Sequence, residues 1–218
     1  MNKIKAVIFD LDGTIADTLP LCIAAFRQSI EPLIGRSVSD EEIVATFGPS
    51  EEGTIMALAP AHYERGIASY LQHYENLHGL CPLPFDGMAA LLRMLSEKNI
   101  RIAMVTGKGI HSTAISLRQF GIDDYFEQVE TGWVHGPRKP EGIEAVLQAF
   151  NGITKEEVIY VGDSPGDITA SRQAGIAAIA VAWAKSAEPE KLAALNPDEL
   201  FYSVEEFRDW LTKRIITA

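Results

Sequence analysis

The sequence predicts an α/β fold, a doubly wound parallel sheet interrupted by an inserted, all-helical domain. Two observations carry this expectation. Short, continuous apolar runs alternate with amphipathic helical patterns along most of the 218 residues. One long early stretch, in contrast, holds helical patterns and no convincing strand.

The first strand is expected at Lys5, Ala6, Val7, Ile8 and Phe9, a run that ends at Asp10. Such runs suit strands buried on both faces of a parallel sheet. Similar runs recur at residues 101–106, 157–162 and 177–181. Asp86 is placed to cap a helix whose Met88, Leu91, Leu92 and Leu95 share one face. Pro140 starts another, with Ile143, Val146, Leu147 and Phe150 inward, and a terminal helix is expected over residues 204–215. Residues 18–82 break the alternation. Ser39 and Glu42 have capping-box spacing, and Tyr63, Ile67, Tyr70, Tyr74 and Leu77 form an apolar stripe after Pro60. Residues 81–87, with Pro82, Pro84 and Gly87, read as a linker back to the sheet.

Composition bounds the function. The chain is 47% hydrophobic and 22% charged, which is ordinary globular usage. A net charge of -11 argues against nucleic acid or an anionic membrane as a general partner. It leaves room for an anionic substrate, because a few basic groups can be concentrated in one pocket. Cys22 and Cys81 have no metal-like spacing and are expected to be reduced, half-buried thiols. The apolar run before Asp10 is too short for a signal peptide, and no stretch approaches membrane-spanning length. A cytoplasmic protein, monomer or homodimer, is expected.

Four segments carry chemistry. Asp10 and Asp12 follow the first strand, where open α/β sheets bind ligands, and Gly13 permits a tight turn there. Taken alone, the pair also fits a helix-entry loop or the phospho-acceptor site of a signalling receiver. Asp163 ends another strand run, and with Asp10 it offers hard oxygen ligands suited to Mg2+. Asp167, one helical turn on, could hold a metal-bound water or a lysine, or serve only as a first-turn acid. Thr106 and Gly107 follow a strand and offer a hydroxyl and free N–H groups to a phosphate. Lys139 opens a helix, where it could neutralise a transferring phosphoryl group or lie solvated on the surface.

In this order, Asp10-Leu-Asp12-Gly13-Thr14, Thr106, Lys139-Pro140 and Gly162-Asp163-Ser164 with Asp167 resemble the motif series of the haloacid dehalogenase superfamily. The resemblance spans nearly the whole chain and is nearest to its phosphoglycolate phosphatase-like branch, with a helical cap after the first motif. It implies a Rossmann-like core at residues 1–15 and 85–218, and a cap at residues 16–84. It implies that Asp10 attacks phosphorus and that Asp12 acts as acid and then base. Mg2+ would be held by Asp10, the Asp12 carbonyl and Asp163, with Asp167 behind them. Thr106, Gly107 and Lys139 would hold the phosphoryl oxygens.

The residues discriminate among branches of that family. Asp12 is the second aspartate that dehalogenating members generally lack. Residues 6–97 contain no lysine, which counts against phosphonate cleavage by a Schiff base and against sugar-phosphate mutases with a cap lysine. Arg27, Arg36 and Arg65 are expected to be solvated helix residues. Gly48, Ser50 and Glu51, in a turn between cap helices, are expected near the active-site mouth, whereas His62, His73 and His78 receive no role. The expected activity is Mg2+-dependent hydrolysis of a small phosphorylated metabolite or of pyrophosphate. A phosphomutase and a non-enzymatic phosphometabolite-binding protein are the alternatives.

Overall fold

The computed structural model describes residues 3–215, so the outermost residues of the expected core span lie outside it. The elements run β1 (Ala6–Phe9), α1 (Leu19–Ile34), α2 (Asp40–Val44), α3 (Glu51–Leu58), α4 (Tyr63–Asn76) and α5 (Met88–Glu97). There follow β2 (Arg101–Val105), α6 (Ile110–Phe120), β3 (Gln128–Glu130), α7 (Lys139–Ala149) and β4 (Val158–Gly162). The chain closes with α8 (Pro165–Ala174), β5 (Ala177–Val181), α9 (Pro189–Ala194), β6 (Glu199–Phe201) and α10 (Val204–Thr212). None of these helices is long and apolar enough to cross a membrane.

The strands form one parallel sheet of order β3-β2-β1-β4-β5-β6, the Rossmann-like doubly wound arrangement expected. Burial explains the apolar runs. Alternate side chains point to opposite faces, and here both faces are covered. Val7, Phe9, Ile102, Met104, Ile159 and Val161 enter one core beneath α5 and α10. Ala6, Ile8, Ala103, Val105, Val158 and Tyr160 enter a second core with Ile143 and Val146 of α7. Strand order reverses between β1 and β4, and the crevice beyond their C-terminal ends is where such sheets bind ligands.

The described residues between β1 and α5 contain no named strand. α1 packs on α4, and Phe26 stacks on Tyr70 with ring centroids 4.2 Å apart. The expected stripe on α4 is realised, with Tyr70 and Tyr74 fully buried. Ser39 and Glu42 form the expected capping box. This helical unit also rests on α6, where the Tyr74 hydroxyl lies 2.7 Å from Ser116 Oγ. The two connections to the sheet touch each other, for the Phe85 N–H donates to the Ile15 carbonyl at 2.9 Å.

Several details differ from expectation. Gly87, in the left-handed region at φ 82°, stands at the N-cap of α5, and Asp86 makes no capping bond. β3 and β6 were not foreseen, because three-residue edge strands leave no continuous apolar run. Cys22 and Cys81 are free, and both are buried more deeply than half-buried thiols. His62, His73 and His78, expected on one helix, do not share one, for only His73 lies in α4. His78 is a core histidine at 4% exposure, within 3.2 Å of Ser116 Oγ.

Candidate active site

Asp10 is the first residue past β1, and its N–H donates to the Val161 carbonyl of β4 at 2.9 Å. The backbone therefore delivers its carboxylate to the point where strand order reverses. Asp163 follows β4 directly and faces it across the switch. Between them the chain turns at Gly13, φ 78°, where an added Cβ would lie 2.1 Å from Asp163 Oδ2. Only glycine allows the loop to pass this close. Thr14 Oγ1 then donates to Asp163 Oδ1 at 3.0 Å, and Trp183, just past β5, donates from Nε1 to the Thr14 carbonyl at 3.0 Å.

Lys139 opens α7 with its Nζ 2.9 Å from Asp10 Oδ2, and it also donates to Asp167 Oδ1. Its side chain is 15% exposed, so the solvated surface role does not hold. Asp167 is buried in the first turn of α8, where it forms a capping box with Ser164. The Tyr160 hydroxyl lies 3.0 Å from Asp167 Oδ1 and 2.7 Å from the Val105 carbonyl, and its single proton serves one at a time. Asp167 thus holds a lysine, one of the roles foreseen for it, and caps its helix as well.

Carboxylate oxygens of Asp10, Asp163 and Asp167 all lie within 4.8 Å of one another. Burial pushes the Asp10 carboxyl up to about 6, against the pull of Lys139, and the nearby Asp167 and Asp12 add to the rise. Burial, then Asp10 and Asp167, hold Asp163 well above the usual carboxylate range. Burial works against the Lys139 charge, yet Asp10 and Asp167 carry its pKa above the ordinary lysine value. One lysine does not balance three acids. Asp10 Oδ1 is buried without a hydrogen-bond partner among the described residues, so it is left for a ligand. An all-oxygen donor set with one orphaned oxygen fits a hard divalent cation such as Mg2+.

The Asp12 carboxylate lies outside this cluster. Its Oδ1 accepts from the Thr18 hydroxyl and lies 3.4 Å from Lys108 Nζ. Thr106 and Gly107 occupy the loop between β2 and α6, where Thr106 Oγ1 accepts the Lys108 N–H at 3.2 Å. Gly132 braces this loop, its N–H donating to the Lys108 carbonyl at 2.7 Å. Asp10, Asp12, Thr106, Gly107 and Lys139 all line one cavity of about 720 Å³ that reaches up to Phe26 and Tyr70.

Of the mouth residues, Gly48 and Glu51 line this cavity. Ser50 is buried beside it, its N–H donating to the Trp133 carbonyl. Arg27 and Arg36 form ion pairs with Asp40 and Glu42 on the surface of the helical unit, and Arg65 is exposed. Sequence reasoning missed Thr18 and Lys108. The only signal for Lys108 was its place two residues after Thr106, in a chain whose preceding helical unit has no lysine.

The profile of the family described as haloacid dehalogenase-like hydrolase matches residues 7–181. The chain is 33% identical over 214 residues to pyrophosphatase PpaX of Listeria monocytogenes serotype 4a, covering 96% of each chain. It is 30% identical to pyrophosphatase PpaX of Halalkalibacterium halodurans over 210 residues, covering 95% of this chain and 96% of the other. In fold it is similar to a haloacid dehalogenase-like family hydrolase from Streptococcus pneumoniae. That structure has TM-score 0.76 at 23% identity, with 95% of this chain and 98% of the other covered.

Proposed function

The chain belongs to the haloacid dehalogenase-like hydrolase family, and on that premise we propose that it is a Mg2+-dependent phosphohydrolase of small phosphorylated metabolites. The observation that supports this best is the Asp10 carboxylate, with Oδ2 on Lys139 and Oδ1 buried and unpartnered beside Asp163.

In this reading Asp10 attacks phosphorus, an Asp10 oxygen–phosphorus bond forms, and the bond from phosphorus to the leaving oxygen breaks. Asp12 gives its proton to that oxygen. Asp12 then takes a proton from water as the water attacks phosphorus, the Asp10–phosphorus bond breaks, and phosphate departs. Lys139 holds Asp10 in place and neutralises the phosphoryl oxygens, while Thr106 Oγ1 and the Gly107 N–H cradle them. Mg2+ bound by Asp10, Asp163 and the Asp12 carbonyl would screen the repulsion between an anionic nucleophile and an anionic substrate. Asp167 stays behind Lys139 and fixes its Nζ. Residues 16–84 act as a cap hinged at residues 15–18 and 83–87, which excludes bulk water and favours small substrates over proteins.

Pyrophosphate is the second reading, supported by the names of the relatives from Listeria and Halalkalibacterium. Phosphate release from a panel containing phosphoglycolate and pyrophosphate, with and without Mg2+, tests both. Turnover that needs Mg2+ and is lost in Asp10→Asn supports the mechanism. Release that persists in Asp10→Asn overturns it. A requirement for a bisphosphorylated activator would mark a mutase instead, and tight binding without turnover a binding protein.

A further inference from the structure

Among the described residues, Lys108 is a buried cation lining the cavity that the chemistry above does not use. It is 6% exposed, and its Nζ faces Cys22, Asp12 and Tyr74. Cys22 Sγ lies at 3.1 Å, Asp12 Oδ1 at 3.4 Å, and the Tyr74 ring centroid at 4.3 Å. Of these only Asp12 brings a full counter-charge, through an ion pair whose carboxylate is one-third exposed. The thiol is neutral, because burial pushes Cys22 up to about 11. The Asp12 oxygen is at the long limit for a hydrogen bond and already accepts from Thr18. The ring supplies only a quadrupole.

The other charges near the cavity are committed. Lys139 serves Asp10 and Asp167. The Glu51 carboxylate is taken up by the Gly109 N–H and the Ser112 hydroxyl, both at 2.6 Å. A buried cation with an incomplete set of partners is costly unless an anion joins it. Lys108 also stands in a defined relation to the reaction. It is two residues past Thr106, and it touches Asp12, whose proposed role is to protonate the leaving oxygen. Its Nζ therefore lies on the leaving-group side of the scissile bond, against α1 and α4 of the helical unit.

We propose that Lys108 binds a second anionic group, a carboxylate or a phosphoryl, carried by the part of the substrate that leaves. The preferred substrates are then phosphoesters or anhydrides with a charged leaving group, and esters of neutral alcohols are poor ones. This rests on the phosphohydrolase reading and extends it to the substrate class.

The test uses a matched pair, phosphoglycolate and 2-hydroxyethyl phosphate, which differ by a carboxylate against a hydroxymethyl group, together with pyrophosphate. Lys108→Met should lower kcat/KM for phosphoglycolate and pyrophosphate about 100-fold and that for 2-hydroxyethyl phosphate less than about threefold. Lys108→Arg, which keeps the charge, should retain part of the preference. Equal losses on all three substrates would assign Lys108 to positioning Asp12 and overturn the proposal. Calorimetric binding of phosphoglycolate to Asp10→Asn, with and without Lys108→Met, reads the same contact without turnover, and unchanged affinity would also overturn it. If the wild type hydrolyses nothing, the phosphohydrolase reading fails, while the binding comparison still decides the role of Lys108.

Discussion

Glu51, in the first turn of α3, accepts the backbone N–H of Gly109 at 2.6 Å and so caps α6 from another part of the chain. The same carboxylate accepts the Ser112 hydroxyl, so one buried anion answers two donors at the positive end of a helix. Glu51→Ala leaves those donors facing an apolar side chain. It should destabilise the protein by about 1–3 kcal/mol, and Glu51→Gln should cost less. Because this contact joins the helical unit to the sheet side, hydrogen exchange in α3 should also quicken. Unchanged exchange there would show that the contact does not fasten the unit.

Asp10→Asn should reduce turnover by about 10,000-fold or more while keeping the fold, since the amide fills the same volume. Circular dichroism and a melting curve verify folding, and phosphate release measures the loss.

The elevated Asp10 pKa gives a signed pH dependence. Its value in the fold, about 6, lies above the ordinary 3.8, so the folded state binds that proton more tightly than the unfolded chain. Stability from this source is fully present below 3.8 and is lost as pH rises toward about 6. Asp163, also raised, acts in the same direction. In metal-free protein the melting temperature of wild type minus that of Asp10→Asn should therefore fall across this interval. Added Mg2+ should reduce the fall, because it favours the ionised carboxylates. A difference that rises with pH without metal would refute the assignment.

Gly132 offers a probe away from the acids. A Cβ there would lie 1.9 Å from the Gly107 carbonyl oxygen, so Gly132→Ala must displace the loop bearing Thr106 and Lys108. Activity should drop at least about tenfold, with about 1–3 kcal/mol of stability lost. Steady-state kinetics beside urea denaturation separate the two effects.

Much of this was legible in the sequence, for physical reasons. β1, β2, β4 and β5 are buried on both faces, and their composition says so without help from neighbours. Asp10, Asp163, Thr106 and Lys139 were legible because each sits at a strand end or a helix start, where local pattern fixes position. Lys108 was not, because its meaning depends on Cys22, Asp12 and Tyr74, which reach it from distant segments. Glu51 was placed near the mouth, but its bond to Gly109 spans 58 residues and has no local trace. β3 and β6 were missed because their pairing is dictated by the adjoining strands β2 and β5.

The single hydrogen bond from Phe85 to Ile15 has an evolutionary consequence. The helical unit leaves and rejoins the sheet side at one point, so its length has no bearing on the register of β1 against β2 and β4. It is attached as a graft is attached to a stem. Gene rearrangements can lengthen, trim or replace it, provided the newcomer still seats on α6 and the Trp133 loop. Selection can then reshape the helical unit, one lineage at a time, while the acidic cluster at the C-terminal ends of the central strands β1 and β4 is inherited intact.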